Sequence, residues 1–147
     1  MLLKNDGLTL HFHPDIQGFI HLAAPVGGIF DLSHALSLGQ VAALNALKAC
    51  AKSPSIKRFV NTSSSLAAGF SKTNGEDGQL DENSYNDAAA ELAEKETTRV
   101  KGFLIYSAMK SETEKAMWKY MKETKPGFVL NCVVCPTFPS TNLQSFL

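Results

Sequence analysis

Short apolar runs and helix-like runs take turns along this chain, and that alternation restricts its fold more than any other feature. Phe19 to Ala24 reads Phe-Ile-His-Leu-Ala-Ala, closed by Pro25 and then Gly27-Gly28, which suits a strand buried on both faces. Leu36 to Lys52 carries alanine and leucine at helical spacing, and Ser53-Pro54 ends it because the residue before proline avoids the helical region. Ile56 to Thr62 is β-rich and opens into Ser63, Ser64 and Ser65. Asp87 to Glu96 reads as a helix, with Glu91 and Lys95 spaced for a weak ion pair on a solvated face. A long helix is predicted from about Leu104 to Thr124, stopped by Lys125-Pro126-Gly127, and Phe128 to Val134 follows as a third strand. Strand, helix, strand, long helix, strand is the pattern of a doubly wound parallel α/β sheet with right-handed crossovers.

The size of the chain fits that reading. Its 147 residues, 44% of them hydrophobic, suffice for one compact domain over 1–147. A formal net charge of zero with interspersed signs gives no electrostatic case for nucleic acid or an anionic membrane, and neither is predicted as a partner. The start, Met1-Leu2-Leu3-Lys4-Asn5-Asp6, turns polar too early for a signal peptide, and no apolar run approaches the ~18 residues that cross a bilayer. Three cysteines, Cys50, Cys132 and Cys135, are too few and odd in number for a disulfide scaffold. A cytoplasmic location is therefore expected.

Several suggestive patterns have plain explanations. His11 and His13 could share one face of a strand and hold a metal, but residues 1–16 lack a strand period and no third ligand sits nearby, so no metal is predicted. Cys132 and Cys135 lie three apart on a predicted strand, which puts their sulfurs on opposite faces and makes packed core thiols the expectation. His21 is expected to be a packed, hydrogen-bonded core histidine. Residues 69–84 are rich in Gly, Ser, Asn and Asp and read as a surface loop.

The chemistry gathers at Tyr106-Ser107-Ala108-Met109-Lys110. Positions four apart share a helix face, so the Tyr106 phenol and the Lys110 ammonium point into one region. A phenol ionises near ~10 in water, and a fixed positive charge beside it favours the phenolate, which suits proton transfer. In an open parallel sheet, ligands bind beyond the carboxyl ends of the strands. Here those ends carry Ala23-Ala24-Pro25, Thr62-Ser63-Ser64-Ser65 and Cys135-Pro136-Thr137, with the Tyr106 helix between the second and third. A hydroxyl cluster near a Tyr/Lys helix, above a sheet of this kind, is far more specific than any one part.

Those residues, together with Leu44-Asn45-Ala46-Leu47-Lys48-Ala49, Lys57 to Ser64 and Glu114-Lys115-Ala116-Met117-Trp118-Lys119, resemble the extended short-chain dehydrogenase/reductase superfamily. The likeness is to carbonyl reductases of the dihydroflavonol, cinnamoyl and fungal ketoreductase type, and it runs from about Gly18 to Ser140. It implies the second half of a Rossmann dinucleotide-binding fold and an NADP(H) cofactor, with NAD(H) as the alternative. It also implies reduction of a small aldehyde or ketone: Tyr106 as general acid, Lys110 lowering its pKa and holding the nicotinamide ribose, and Ser64 hydrogen-bonding the substrate oxygen. Ser63 and Ser65 compete with Ser64 for that role, and Ala23, Ala24, Pro25, Pro136 and Thr137 are the implied cofactor contacts.

The family's opening glycine-rich turn, which holds the cofactor pyrophosphate at a helix N-terminus, has no match here, and Gly27-Gly28 is no substitute. The expectation is that two βα units, on the order of 60 residues, would precede Met1, and that a substrate lobe would follow Leu147. The His21 strand would then be an open edge that invites self-association. A nucleotide-sugar epimerase or dehydratase, using a similar Tyr/Lys pair, is the second enzymatic reading, and an inactive remnant serving as a binding module is the third.

Overall fold

A computed structural model of the chain describes residues 12–24, 31–69 and 80–135. Three parallel strands lie in the order β1 (Gly18–His21), β2 (Arg58–Ser64), β3 (Val129–Cys135). Helix α1 (Leu32–Ala51) joins the first two strands. The short α2 (Ser65–Ala68), α3 (Ala88–Lys95) and the long α4 (Val100–Thr124) lie between the second and third. Parallel neighbours need a crossover of this kind, so the expected α/β alternation is what forms. Among the described residues, no helix is long and apolar enough to cross a membrane.

Register aligns Phe19 with Phe59 and Phe59 with Leu130, placing three large side chains on one face of the sheet. Against that face α1 brings Ala43, Ala46, Leu47 and Cys50, and α4 brings Met117, closing a core completed by Ile56 and Phe128. A second cluster forms where Ala35 of α1, Ala93 of α3 and Leu104, Ile105 and Met109 of α4 meet. The two long helices come very close at Gly39. A Cβ there would lie 2.7 Å from Thr113 Oγ1 and 2.8 Å from Met109 Cγ, so a larger residue would force the helices apart.

Helix α1 starts four residues before the predicted Leu36, because Asp31 caps it. The carboxylate accepts the His34 amide at 2.6 Å and the Ser33 hydroxyl at 2.8 Å, and these bonds hold it below the usual carboxylate range. Helix α4 likewise begins earlier than predicted, at Val100, and ends where Lys125 turns left-handed (φ 44°) and donates its amide to Met121 O at 3.0 Å. The predicted pair on α3 is present, with Lys95 Nζ 2.5 Å from Glu91 Oε1 on an exposed face.

Burial on both strand faces does not hold. Ile20 is 64% exposed, Leu22 70% and Val133 51%. Side chains alternate along a strand, and α1 and α4 both pack on the Phe59 face, so the opposite face is uncovered among the described residues. Only part of the expectation for the thiols survives, for the same reason. Cys132 is half-buried on one face, whereas Cys135 points the other way and is exposed rather than packed in the core.

Candidate active site

Lys110 is where the elements converge. Its ammonium donates to the carbonyl of Thr62, near the carboxyl end of β2, at 2.6 Å. Half-burial lowers its pKa from the usual lysine value, and the nearby Cys135, Glu114 and Cys132 pull weakly the other way. His21, Ala23, Ala24, Gly39, Asn61, Met109 and Thr113 line one narrow cavity with Lys110. The β1 end and the middle of α4 thus meet, bringing Ala23, Ala24 and Lys110 to one cavity. His21 is half-buried with its ring 6.1 Å from that of Phe59, and burial, then the charge of Lys110, lowers its pKa.

An ammonium has three N–H donors, and among the described residues Lys110 spends one on Thr62. Thr113 Oγ1, on the wall of the same cavity, is buried without a hydrogen-bond partner among the described residues. The two spare donors of Lys110 are the chemistry that the hydroxyl oxygens of a ribose would need, although this cavity, at about 10 Å³, has room for about one water as it stands.

The three serines have different surroundings. Ser63, 3% exposed, donates its hydroxyl to Glu114 of α4. Ser64 is also buried, and its Oγ accepts the Leu66 amide at 3.3 Å as the cap of α2. That bond uses the oxygen and leaves the hydroxyl proton able to donate elsewhere. Ser65 is half-buried on the first turn of α2. All three line a second cavity of about 540 Å³ with Tyr85, Glu114, Trp118 and Cys132.

Tyr106 lines neither cavity. It is half-buried one turn before Lys110 and packs, as Ala24 also does, against the cluster that contains Ile105 and Met109. Pro25, Pro136, Thr137 and His11 lie outside the described residues. Sequence reasoning assigned Glu114, Thr113 and Tyr85 no role in the site, with Glu114 entering only through the motif that carries the resemblance, and His21, expected as a packed core histidine, is instead half-buried on the wall of the Lys110 cavity. Glu114 was within reach, because it lies eight residues after Tyr106 and four after Lys110 on the same helical face.

Thiol reactivity offers a direct check of this geometry. Burial pushes the Cys50 thiol from an ordinary 9.0 to about 11, and burial with the charge of Glu114 pushes Cys132 to about 12, whereas Cys135 is exposed. A disulfide reagent at mildly alkaline pH should modify Cys135 fastest, the half-buried Cys132 more slowly and Cys50 only on unfolding; a Cys50 that reacts as fast as Cys135 would contradict the packing. The same raised values mean that above about pH 9 the unfolded chain sheds protons that the folded chain keeps, so stability falls as pH rises from there.

Comparison with known proteins agrees with this architecture. The NAD-binding family described as Male sterility protein matches residues 10–141. Aldehyde reductase 2 of Sporidiobolus salmonicolor is 40% identical over 121 residues, 80% of this chain and 35% of that protein. The NAD-dependent epimerase/dehydratase terH of Aspergillus terreus is 36% identical over 126 residues, 84% of this chain and 36% of that protein. The crystal structure of yeast methylglyoxal/isovaleraldehyde reductase Gre2 complexed with NADPH matches with a TM-score of 0.67 at 25% identity, covering 84% of this chain and 36% of that one. This chain therefore spans about a third of the length of the relatives it matches. With its sheet, its motifs and a family match across most of its length, the chain belongs to the NAD-binding Male sterility protein family and to the extended short-chain dehydrogenase/reductase superfamily.

Proposed function

We propose that this chain supplies the second half of the cofactor-binding domain of an NADP(H)-dependent carbonyl reductase, with residues 1–147 forming a single partial Rossmann domain. One observation carries the reading. The Lys110 ammonium, half-buried and bonded to Thr62 O at 2.6 Å, ties the Tyr106 helix to the strand end that bears the serines. Tyr106, one turn away, gives its phenolic proton to the carbonyl oxygen of an aldehyde or ketone, and Ser64 donates a hydrogen bond to the same oxygen. Lys110 holds ribose hydroxyls and favours the phenolate left after proton transfer. Ala23, Ala24, Pro25, Pro136 and Thr137 bound the cofactor from the two flanking strand ends. The nicotinamide, when bound, supplies the hydride. Adding a small aldehyde to protein and NADPH should oxidise the cofactor in step with alcohol formation, whereas unchanged NADPH absorbance across a panel of aldehydes and ketones would count against the reading.

The 36% identical epimerase/dehydratase supports a second reading. The two separate on cofactor accounting: a reductase consumes one NADPH per product, whereas an epimerase or dehydratase returns its nicotinamide to the starting state. Net conversion of a nucleotide sugar with no net change in cofactor would favour the second.

A further inference from the structure

Tyr106, Lys110, Glu114 and Trp118 follow one another at four-residue intervals and form a single stripe along α4. Two neighbours in that stripe grip two neighbours in β2. Lys110 donates to the carbonyl of Thr62, and Glu114 accepts from the hydroxyl of Ser63. Opposite charges one helical turn apart thus hold consecutive strand residues; Ser63 is buried and Glu114 half-buried, and a hydrogen bond to a carboxylate is stronger than one between neutral groups.

We propose that Glu114 is a positioning residue of the reductase site: by accepting the hydrogen bond of the Ser63 hydroxyl it fixes the turn from β2 into α2, and leaves Ser64 as the buried serine that faces the substrate oxygen. The inference rests on the reductase reading for its consequence in turnover, but the clamp itself stands on geometry. Ser63 is spoken for, so it cannot donate to a substrate. Ser64, next in the chain, has its oxygen pinned by the Leu66 amide, which fixes where its proton can point. From the other side, Asn86 holds the same turn through Leu66 O at 3.0 Å and Ala67 O at 2.8 Å. Glu114 also bears on its titratable neighbours. Its charge favours the protonated forms of Lys110, Cys132 and Tyr85, whereas Lys115, the next residue of α4, is turned toward Asp87 and Glu112.

Residue-resolved amide exchange on the chain tests the clamp without any turnover. In Glu114→Ala, exchange at Ser63 through Leu66 should quicken about tenfold or more, while β1 and the first half of α1 keep their wild-type rates. Glu114→Gln retains an acceptor oxygen and should return those amides close to wild type. Ser63→Ala should reproduce Glu114→Ala, and combining the two should add nothing further. Unchanged exchange in Glu114→Ala, a rise spread through the whole chain, or no recovery with glutamine would each overturn the proposal. Should Glu114→Ala fail to fold, Ser63→Ala compared with Glu114→Gln decides the matter. In aldehyde turnover, Glu114→Ala should lower kcat while the Kd for NADPH stays put; a change confined to cofactor affinity would also count against positioning. Absence of carbonyl reduction in the wild-type protein would instead sink the reductase reading, leaving the exchange result to judge the clamp alone.

Discussion

Replacing Tyr106 by phenylalanine is expected to lower carbonyl reduction by about 10²–10⁴-fold, the usual range for loss of a positioned proton donor. The measurement applies to this chain or to any longer protein that contains it. The substitution removes one oxygen and keeps the ring that packs against the cluster containing Ile105 and Met109, so the second core cluster should survive intact. Thermal unfolding should therefore move by no more than about 0.5 kcal/mol. NADPH affinity should hold too, because the group assigned to the ribose is Lys110, which keeps its bond to Thr62 O. Activity retained in Tyr106→Phe would remove the proton-transfer role assigned here.

Phe59→Ala carries the largest expected loss of stability, about 3–5 kcal/mol. Phe59 sits in the middle of the central strand with no exposed surface, its ring 5.1 Å from that of Phe19 on β1 and 6.2 Å from that of Phe128 just before β3. Helices α1 and α4 close over it through Leu47, Cys50 and Met117. Truncation would open a cavity at the junction of all three strands, in a fold whose total stability is on the order of 5–15 kcal/mol. Phe59→Leu keeps most of the volume and should cost far less, so the pair separates a packing role from a general effect of mutation. Urea unfolding followed by circular dichroism measures both, and an unshifted midpoint for Phe59→Ala would contradict the packing described.

The alternating apolar and helical runs determined more of this structure than any single motif did. Strand and helix order followed directly from periodicity, since a stretch such as Ile56 to Thr62 has one reasonable way to bury itself. Helix starts were harder to read. Asp31 acts through a local bond to the His34 amide, and a lone aspartate several residues before an alanine-rich run gives little warning of it. The bare face of the sheet could not be read at all, because apolar residues such as Ile20 and Val133 look the same whether or not a layer covers them. In the site, spacing placed Tyr106 and Lys110 on one face, and the strand ends pointed to Ala23, Ala24 and the serines. Spacing could not tell which serine was already engaged. That depended on Glu114 reaching Ser63 across 51 residues of sequence, a contact that exists only once α4 lies against β2.

Titration of NADPH into the purified chain, followed by cofactor fluorescence, tests the central claim most directly. A saturable signal that is lost in Lys110→Met is the expected result, because that change removes the ammonium between the β1 end and the serine-bearing strand while keeping the length of the side chain. Equal binding by wild type and variant, in this chain or in a longer protein that contains it, would contradict the account of a nicotinamide site built around Lys110.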